Sequence, residues 1–324
     1  MNNKAIAVYR MPNEHDFYSL TSEENLAVNS DKKSGFFFSN FDNGTIYSLK
    51  NPSIIKNSWP SFETFINSAD TKISKEEYID KVSQIIENIN IGKMKKVVFS
   101  RIQNVTKSSP FELEKTFVDL CKNYPKAFVY CISSQETGTW MGASPELLMN
   151  KNESTFKTVS LAGTRTENVN WTTKEREEQQ VVTDYILDKI SPFSISIKVS
   201  EPYDLDTGAI IHLKSDIEFN LKNNSSIWDL VSILHPTPAV CGIPTKGAKK
   251  LIGELEPHKR NLYTGFIGPM DINNHSSLFV NLRCMQICKE EISLYLGGGI
   301  MGESLPEKEW IETQNKAKTL SKVL

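Results

Sequence analysis

The stretch LGGGIMGESLPEKEWIETQNKA, residues 296–317, has the residue types of an ion-binding site. Three consecutive glycines at 297–299 end a predicted strand, and such a strand end leaves backbone N–H groups open to an anion. In the helix predicted after them, Glu309, Glu312 and Lys316 are spaced i, i+3 and i+7, so they share one helix face. Carboxylates there can hold a hard cation against the same anion. The pattern predicts a combined cation and anion site, with a solvent-facing charged helix as the alternative.

A second predicted helix, TTKEREEQQVVTDYILDKI at 172–190, supplies another candidate carboxylate. Val181 and Tyr185 mark its inward stripe, and Glu177 lies one turn before Val181. This spacing directs Glu177 inward and leaves Glu178 off the stripe. Burying a carboxylate is unfavourable unless it is paired or bound to a metal. Glu177 is therefore a candidate metal ligand, and a salt bridge to a lysine or arginine is the alternative.

Two further residues have the chemistry for proton transfer. In KKVVFSRI, strand alternation places Lys96 on the face opposite Val97 and Phe99, from which its amine can project into a cleft. Burial lowers the pKa of a lysine from about 10.4, so a desolvated lysine can act as a base. In MGASPELLM, Glu146 follows a Ser-Pro turn among apolar neighbours, where burial raises the pKa of a carboxyl group and suits it to general acid catalysis. An ordinary surface lysine and a helix-start glutamate are the alternatives.

Composition narrows the class of ligand. The 324 residues are 39% hydrophobic and 23% charged, which is typical of a globular protein with a large core. The formal net charge is −2 and no long basic block occurs, so neither nucleic acid nor an anionic membrane is an expected partner. The N-terminus has no apolar signal region and no apolar run approaches a membrane span, which predicts a cytoplasmic protein. We expect a small-molecule ligand.

The elements that must position these residues are a mixture of strands and helices. A helix is predicted over about 75–91, because Ser74 and Glu77 form a capping box before apolar residues at helical spacing. IIHLKSDIEFNL, 210–221, alternates as a strand with one apolar face. Strands and helices do not alternate regularly, which predicts an α+β fold with helices covering antiparallel sheets. No repeat or linker divides the chain, so one large domain is favoured over two.

Nine short blocks follow one another along the chain: KVVFSR, GASPELL, LAGT, EREEQQVV, HLKSDI, LHPTPAVCGIP, LYTGFIG, VNLR and GGGIMGESLPEKEWIETQNKA. In this order they resemble the blocks of the chorismate-utilising enzymes, and most closely those of isochorismate synthases. The resemblance covers about residues 75–324, which we interpret as the chorismate-binding catalytic region. Residues 1–74 match poorly and are interpreted as a shortened N-terminal part of the same domain.

The resemblance implies a fold and a reaction. The family fold packs two large antiparallel sheets together and surrounds them with helices. The family reaction needs Mg²⁺, and the matching positions imply Glu177 and Glu312 as its ligands, with Glu309 next to the metal or its waters. Lys96 matches the lysine that activates water for attack at C2 of chorismate. Glu146 matches the acid that protonates the leaving C4 hydroxyl.

Further residues are implied as contacts of chorismate. Arg283 shares a predicted strand face with Phe279 and Asn281, and its fork suits bidentate binding of the enolpyruvyl carboxylate. The resemblance adds His212 near the ring and the LAGT block at the substrate. The implied substrate-binding residues are His212, Tyr263, Arg283, Gly298, Gly299, Lys316, Ala162, Gly163 and Thr164.

Two positions and one block separate members of the family. Lys96 stands where anthranilate synthases usually have glutamine, which indicates that water rather than ammonia is the nucleophile. Ala162 stands where some aminodeoxychorismate synthases carry the lysine that forms a covalent adduct. HPTPAVCGIP, 235–244, is the form found in isochorismate synthases. The resemblance thus implies isomerisation of chorismate for menaquinone or siderophore synthesis, by a monomer without a glutaminase subunit.

Two alternatives stay open. Salicylate synthases share the lysine and the acid and then eliminate pyruvate. A chorismate-binding protein without turnover is the second alternative, although binding alone would need neither a base nor an acid.

Overall fold

The computed structural model describes residues 4–29, 34–42, 44–62, 64–67, 71–107, 110–166, 169–206, 210–222, 226–273 and 275–324. Within these ranges the chain forms 19 strands and six α-helices. The strands are β1 (Ala5–Arg10), β2 (Phe17–Ser22), β3 (Ala27–Val28), β4 (Gly35–Ser39), β5 (Ile46–Ser48), β6 (Ser53–Lys56), β7 (Lys96–Thr106), β8 (Phe128–Ser134), β9 (Gly138–Ser144), β10 (Leu147–Asn152), β11 (Thr155–Arg165), β12 (Ser194–Val199), β13 (Tyr203–Asp206), β14 (Ile211–Leu221), β15 (Gly242–Ile243), β16 (Phe266–Met270), β17 (Ser277–Val280), β18 (Cys284–Ile287) and β19 (Glu291–Ile300). The helices are α1 (Lys75–Asn90), α2 (Leu113–Asn123), α3 (Thr173–Ile190), α4 (Ile227–Leu234), α5 (Thr245–Leu255) and α6 (Pro306–Ser321).

The strands form two antiparallel sheets that pack face to face. Over the described residues, the first sheet has the order β15-β7-β19-β18-β9-β8-β1-β2-β6, and the second has the order β12-β14-β11-β10-β17-β16-β4-β5-β3, with β13 also paired to β14. One core cluster contains side chains of both sheets, and the rings of Phe128 and Phe279 stack between them at 4.4 Å. This arrangement confirms the predicted α+β fold.

The helices lie outside the two sheets. Helix α1 begins at the predicted capping box, where the Glu77 N–H donates to Ser74 Oγ, and it buries Tyr78 and Val82. Helix α3 packs through Val182 and Ile186 on the second sheet. In the part of the chain that the structure describes, no helix is both long enough and apolar enough to span a membrane.

Strands β14 and β17 test which side chains the sequence predicted to share a strand face. In β14, Leu213, Ile217 and Phe219 are buried on one face, as predicted. Arg283 was expected on a strand face, and this prediction was wrong: β17 ends at Val280 in one sheet, and β18 begins at Cys284 in the other. Arg283 therefore lies in the connection that crosses between the sheets, with a φ of 47°.

Candidate active site

A pocket of about 670 Å³, counting the space open to solvent, lies between the two sheets and helices α3 and α6. It brings together residues from sequence segments more than a hundred positions apart. Ten residues of the predicted site line it: Glu146, Ala162, Gly163, Thr164, His212, Tyr263, Arg283, Gly299, Glu312 and Lys316. The segment predicted from the HPTPAVCGIP block also reaches it, through Ala239 and Val240.

Lys96, the first residue of β7, is fully buried behind Glu178 and Gly299, which line the pocket. Its Nζ lies 2.8 Å from Glu178 Oε1, and Glu178 itself lines the pocket. The contact is an ion pair without hydrogen-bond alignment. The predicted inward orientation of Lys96 is thus what the structure shows, and its charge partner is a carboxylate from α3.

The identity of that carboxylate corrects the sequence analysis, which placed Glu177 inward and Glu178 outward. The structure shows the reverse, because Glu177 is exposed and Glu178 is buried. The inward face of α3 runs through Val182 and Ile186, one residue later than the predicted stripe. Extending that face towards the N-terminus by one turn reaches Glu178, which is the signal that could have identified it.

The glycines of β19 are needed because carboxylates approach the strand closely. A Cβ added at Gly299 would collide with Glu178 Oε1 and lie 2.9 Å from Lys96 Cε. A Cβ added at Gly298 would lie 3.3 Å from Glu309 Oε2. Glycine at these two positions therefore lets the side chains of α3 and α6 reach the backbone of β19.

Only one of the two predicted backbone donors has an N–H that the sheet leaves open. The Val98 N–H donates to the Cys241 carbonyl, on the side of β7 that faces β15. Val98 and Gly299 are therefore a pair without mutual hydrogen bonds, and the N–H of each residue points away from the other strand. Alternation then directs the Gly298 N–H into the ladder, towards Phe99. Gly299 lines the pocket, whereas Gly298 faces α6. The prediction of a Gly298 N–H donor to the substrate is therefore wrong.

Glu146 follows β9 and is buried at the pocket. Burial raises the pKa of its carboxyl group to about 8, although Lys96 and Lys316 act in the opposite direction. Glu146 is therefore mostly protonated at neutral pH, as the sequence analysis expected for a general acid.

A hydrogen-bonded chain fixes His212 and Arg283 at the opposite wall. His212 Nδ1 lies 2.9 Å from the Gly163 carbonyl, and Arg283 NH2 donates to His212 Nε2 at 2.7 Å. A carbonyl can only accept and a guanidinium can only donate, so His212 carries its proton on Nδ1 and is neutral. Burial, together with the charge of Arg283, lowers the pKa of His212 to about 3. A second donor of Arg283, NH1, binds Thr319 Oγ1 at 2.9 Å.

Two carboxylates of α6 lie at the mouth of the pocket, each with a lysine. Lys174 of α3 lies 2.7 Å from Glu309 Oε1, and Lys316 lies 2.7 Å from Glu312 Oε1. Burial and the neighbouring Glu312 raise the pKa of Glu309 to about 7. Burial acts to raise the pKa of Glu312 as well, but Lys316 and Lys174 outweigh it and hold that pKa below its usual value. The sequence analysis missed Lys174, because its partner lies on a different helix.

The carboxylates at the pocket fit a cation that takes some of its ligands from the protein and the others from a bound substrate. Among the described residues, no three His, Cys, Asp or Glu side chains form a cluster that could hold a metal ion alone. Glu309 Oε2 is nevertheless buried without an aligned hydrogen-bond partner in that part of the chain, and Glu312 is one helical turn away. Mg²⁺ is typically held by one or two carboxylates, with waters and substrate oxygens completing its octahedron. Glu309 and Glu312 are thus suitable ligands, Glu178 is a further carboxylate at the pocket, and Glu177, which is exposed, is not suitable.

Comparison with known proteins agrees with this architecture. The family model described as "Chorismate binding enzyme" matches residues 25–324. Isochorismate synthase DhbC of Bacillus subtilis is 30% identical over 269 residues, which cover 77% of this chain and 68% of that protein. Isochorismate synthase EntC of Escherichia coli K12 is 29% identical over 241 residues, and the match spans 70% of this chain and 62% of that protein.

A solved structure shares the fold over the whole chain. It is described as a putative 2,3-dihydroxybenzoate-specific isochorismate synthase, DhbC, from Bacillus anthracis. The TM-score is 0.84 at 24% identity, and the match covers 100% of this chain and 97% of that one. Because the family model matches residues 25–324 of the 324 in this chain, the chain belongs to the chorismate binding enzyme family.

Proposed function

We propose that this chain is an isochorismate synthase, which converts chorismate to isochorismate with Mg²⁺ bound. The observation that carries the proposal is one pocket lined by Glu146, whose pKa is raised to about 8, and by Glu178, which pairs with the buried Lys96 directly behind it. A base and an acid are what the replacement of one hydroxyl by another requires. The names of the relatives support the same reaction.

In the proposed reaction, Lys96 is the base and takes a proton from water as the water oxygen bonds to C2. The double bonds of the ring shift, and the C4–O bond breaks. Glu146 gives its proton to the departing hydroxyl, which leaves as water. Glu178 lies 2.8 Å from Lys96 Nζ and stabilises the ammonium ion that forms. One water enters and one leaves, so the product is an isomer of chorismate.

In this proposal, charged and polar groups of the chain bind the substrate and orient it. Arg283 binds the enolpyruvyl carboxylate, and His212 and Thr319 hold its guanidinium in place. The open N–H of Gly299 donates to the ring carboxylate. Tyr263 lines the pocket and is a further contact. When bound, Mg²⁺ would neutralise the ring carboxylate, and Glu178, Glu309 and Glu312 would hold it.

We further infer the cellular setting from the reaction. Water is the nucleophile, so no glutaminase subunit is needed to deliver ammonia. The enzyme acts in the cytoplasm as a monomer, and its product supplies menaquinone or siderophore synthesis. Residues 1–74 are the N-terminal part of the same domain, and 75–324 are the catalytic region.

Product analysis tests the proposal. The purified protein is incubated with chorismate, with and without Mg²⁺, and the products are separated by chromatography with mass detection. A Mg²⁺-dependent product of unchanged mass and new retention time supports isochorismate synthase. Salicylate with pyruvate would assign the chain to the salicylate synthases instead. Unchanged chorismate in both samples would favour a binding protein without turnover.

A further inference from the structure

The three carboxylates around the mouth of the pocket are each neutralised by a lysine of the same chain. The pairs and their N–O distances are Lys96–Glu178 at 2.8 Å, Lys174–Glu309 at 2.7 Å and Lys316–Glu312 at 2.7 Å. Each of these carboxylates thus has a cation beside it without any added ion. A divalent cation that binds them must compete with an ammonium group for each carboxylate.

Lys174 differs from the other two lysines in what it contacts. Lys96 has the role of the base, and Lys316 also donates to the Gly297 carbonyl at 2.7 Å. Lys174 reaches from α3 to Glu309 on α6. Its side chain is 19% exposed and borders a second cavity, the outer cavity, whose lining includes Thr164, Lys308 and Glu312. Its ammonium can therefore move into solvent without a change in the residues that line the pocket.

Glu309 is the carboxylate best placed for an exchange of cations. One of its oxygens contacts Lys174, and the other is buried without an aligned partner among the described residues. Gly298 beside it leaves room, because a Cβ there would lie 3.3 Å from Glu309 Oε2. A cation placed between Glu309 and Glu312 would lie next to the Lys174 ammonium, and the two positive charges would repel each other.

We propose that Lys174 is the internal counter-cation of Glu309, that a divalent cation displaces it, and that Lys174 thereby weakens cation binding in the absence of substrate. This inference rests on the proposed function, because it concerns the Mg²⁺ of that reaction. The consequence for metal binding follows from the charge that each ligand adds to the site. Chorismate brings two carboxylates, so Mg²⁺ and substrate together add no net charge to the site, whereas Mg²⁺ alone adds two uncompensated positive charges. Lys174 therefore favours entry of the metal together with the substrate.

Calorimetric titration with MgCl₂, in the absence of chorismate, tests the inference. We expect Lys174→Met to bind Mg²⁺ at least about tenfold more tightly than the unmodified protein, because a positive charge next to the ion is removed. Lys174→Arg, which keeps the charge, should bind like the unmodified protein. Lys308→Met is the matched control, since Lys308 is an exposed lysine bordering the same outer cavity. Its affinity should change by less than about twofold.

A second variant covers loss of folding. If Lys174→Met does not fold, Lys174→Gln keeps a hydrogen-bond donor for Glu309, and its thermal midpoint should rise more on addition of Mg²⁺ than that of the unmodified protein. Equal or weaker Mg²⁺ binding by the uncharged variants overturns the inference, as does the absence of binding to any of them. The Mg²⁺ requirement of product formation is measured separately, so failure of this inference remains distinguishable from failure of the proposed function.

Discussion

Replacing Gly299 by alanine should separate the geometry of the active site from the stability of the fold. The added Cβ would collide with Glu178 Oε1 and lie 2.9 Å from Lys96 Cε. The φ of Gly299 is outside the left-handed region, so the backbone tolerates alanine and the effect is steric. The ion pair must therefore move, by an amount on the order of 1 Å.

A displacement of that size in a catalytic group lowers the rate by roughly a hundredfold. The overpacking also destabilises the fold by about 1–3 kcal/mol. The assay is kcat for chorismate conversion, together with the thermal midpoint of unfolding. We expect Gly299→Ala to lose about a hundredfold in kcat while it remains folded.

Gly253→Ala in α5 is the matched control, since a Cβ there meets no atom within 4 Å. Alanine is the better helix former by about 1 kcal/mol, so this variant should keep its activity and be as stable or slightly more stable. If Gly299→Ala turns over chorismate at the rate of the unmodified protein, the placement of Lys96 and Glu178 against β19 is not what the reaction uses.

Three further predictions concern individual side chains. Glu178→Gln should lower kcat by about a hundredfold or more and Glu177→Gln by less than about twofold, because only Glu178 is buried at the pocket; equal losses in steady-state kinetics would contradict the corrected orientation of α3. Because the pKa of Glu146 is raised to about 8 in the protein without substrate and the acid must be protonated, kcat/KM should fall as the pH rises through about 8, and a kcat/KM that rises through this range would exclude Glu146 as the acid. His212→Asn should raise KM for chorismate by about tenfold with little change in kcat, because the substitution removes the Nε2 acceptor that holds the Arg283 guanidinium. An unchanged KM would show that the position of Arg283 does not depend on His212.

Local spacing was sufficient to predict part of the site. The resemblance to chorismate-utilising enzymes and the α+β fold are confirmed. The inward orientation of Lys96 follows from strand alternation, and Glu309 and Glu312 share a helix face because they are one turn apart. The two site predictions succeed because each depends on the spacing within one element.

The errors occur where two elements decide the outcome together. Val181 and Val182 are adjacent apolar residues, so the sequence of α3 allows two inward stripes, and packing against the second sheet selects the one through Val182. The contact of Lys174 with Glu309 joins two helices that are far apart in sequence. Arg283 lies where the chain changes sheets, and a sequence pattern does not reveal which sheet a strand joins. Tertiary packing sets all three.

Solvent labelling tests the central claim, attack of water at C2, most directly. Chorismate is converted in water enriched in oxygen-18, the reaction is stopped early, and the product is analysed by mass spectrometry. The proposed mechanism predicts isochorismate that carries one oxygen-18 atom in its ring hydroxyl. Unlabelled isochorismate would contradict it, because the C4 hydroxyl would then have moved to C2 without exchange with water.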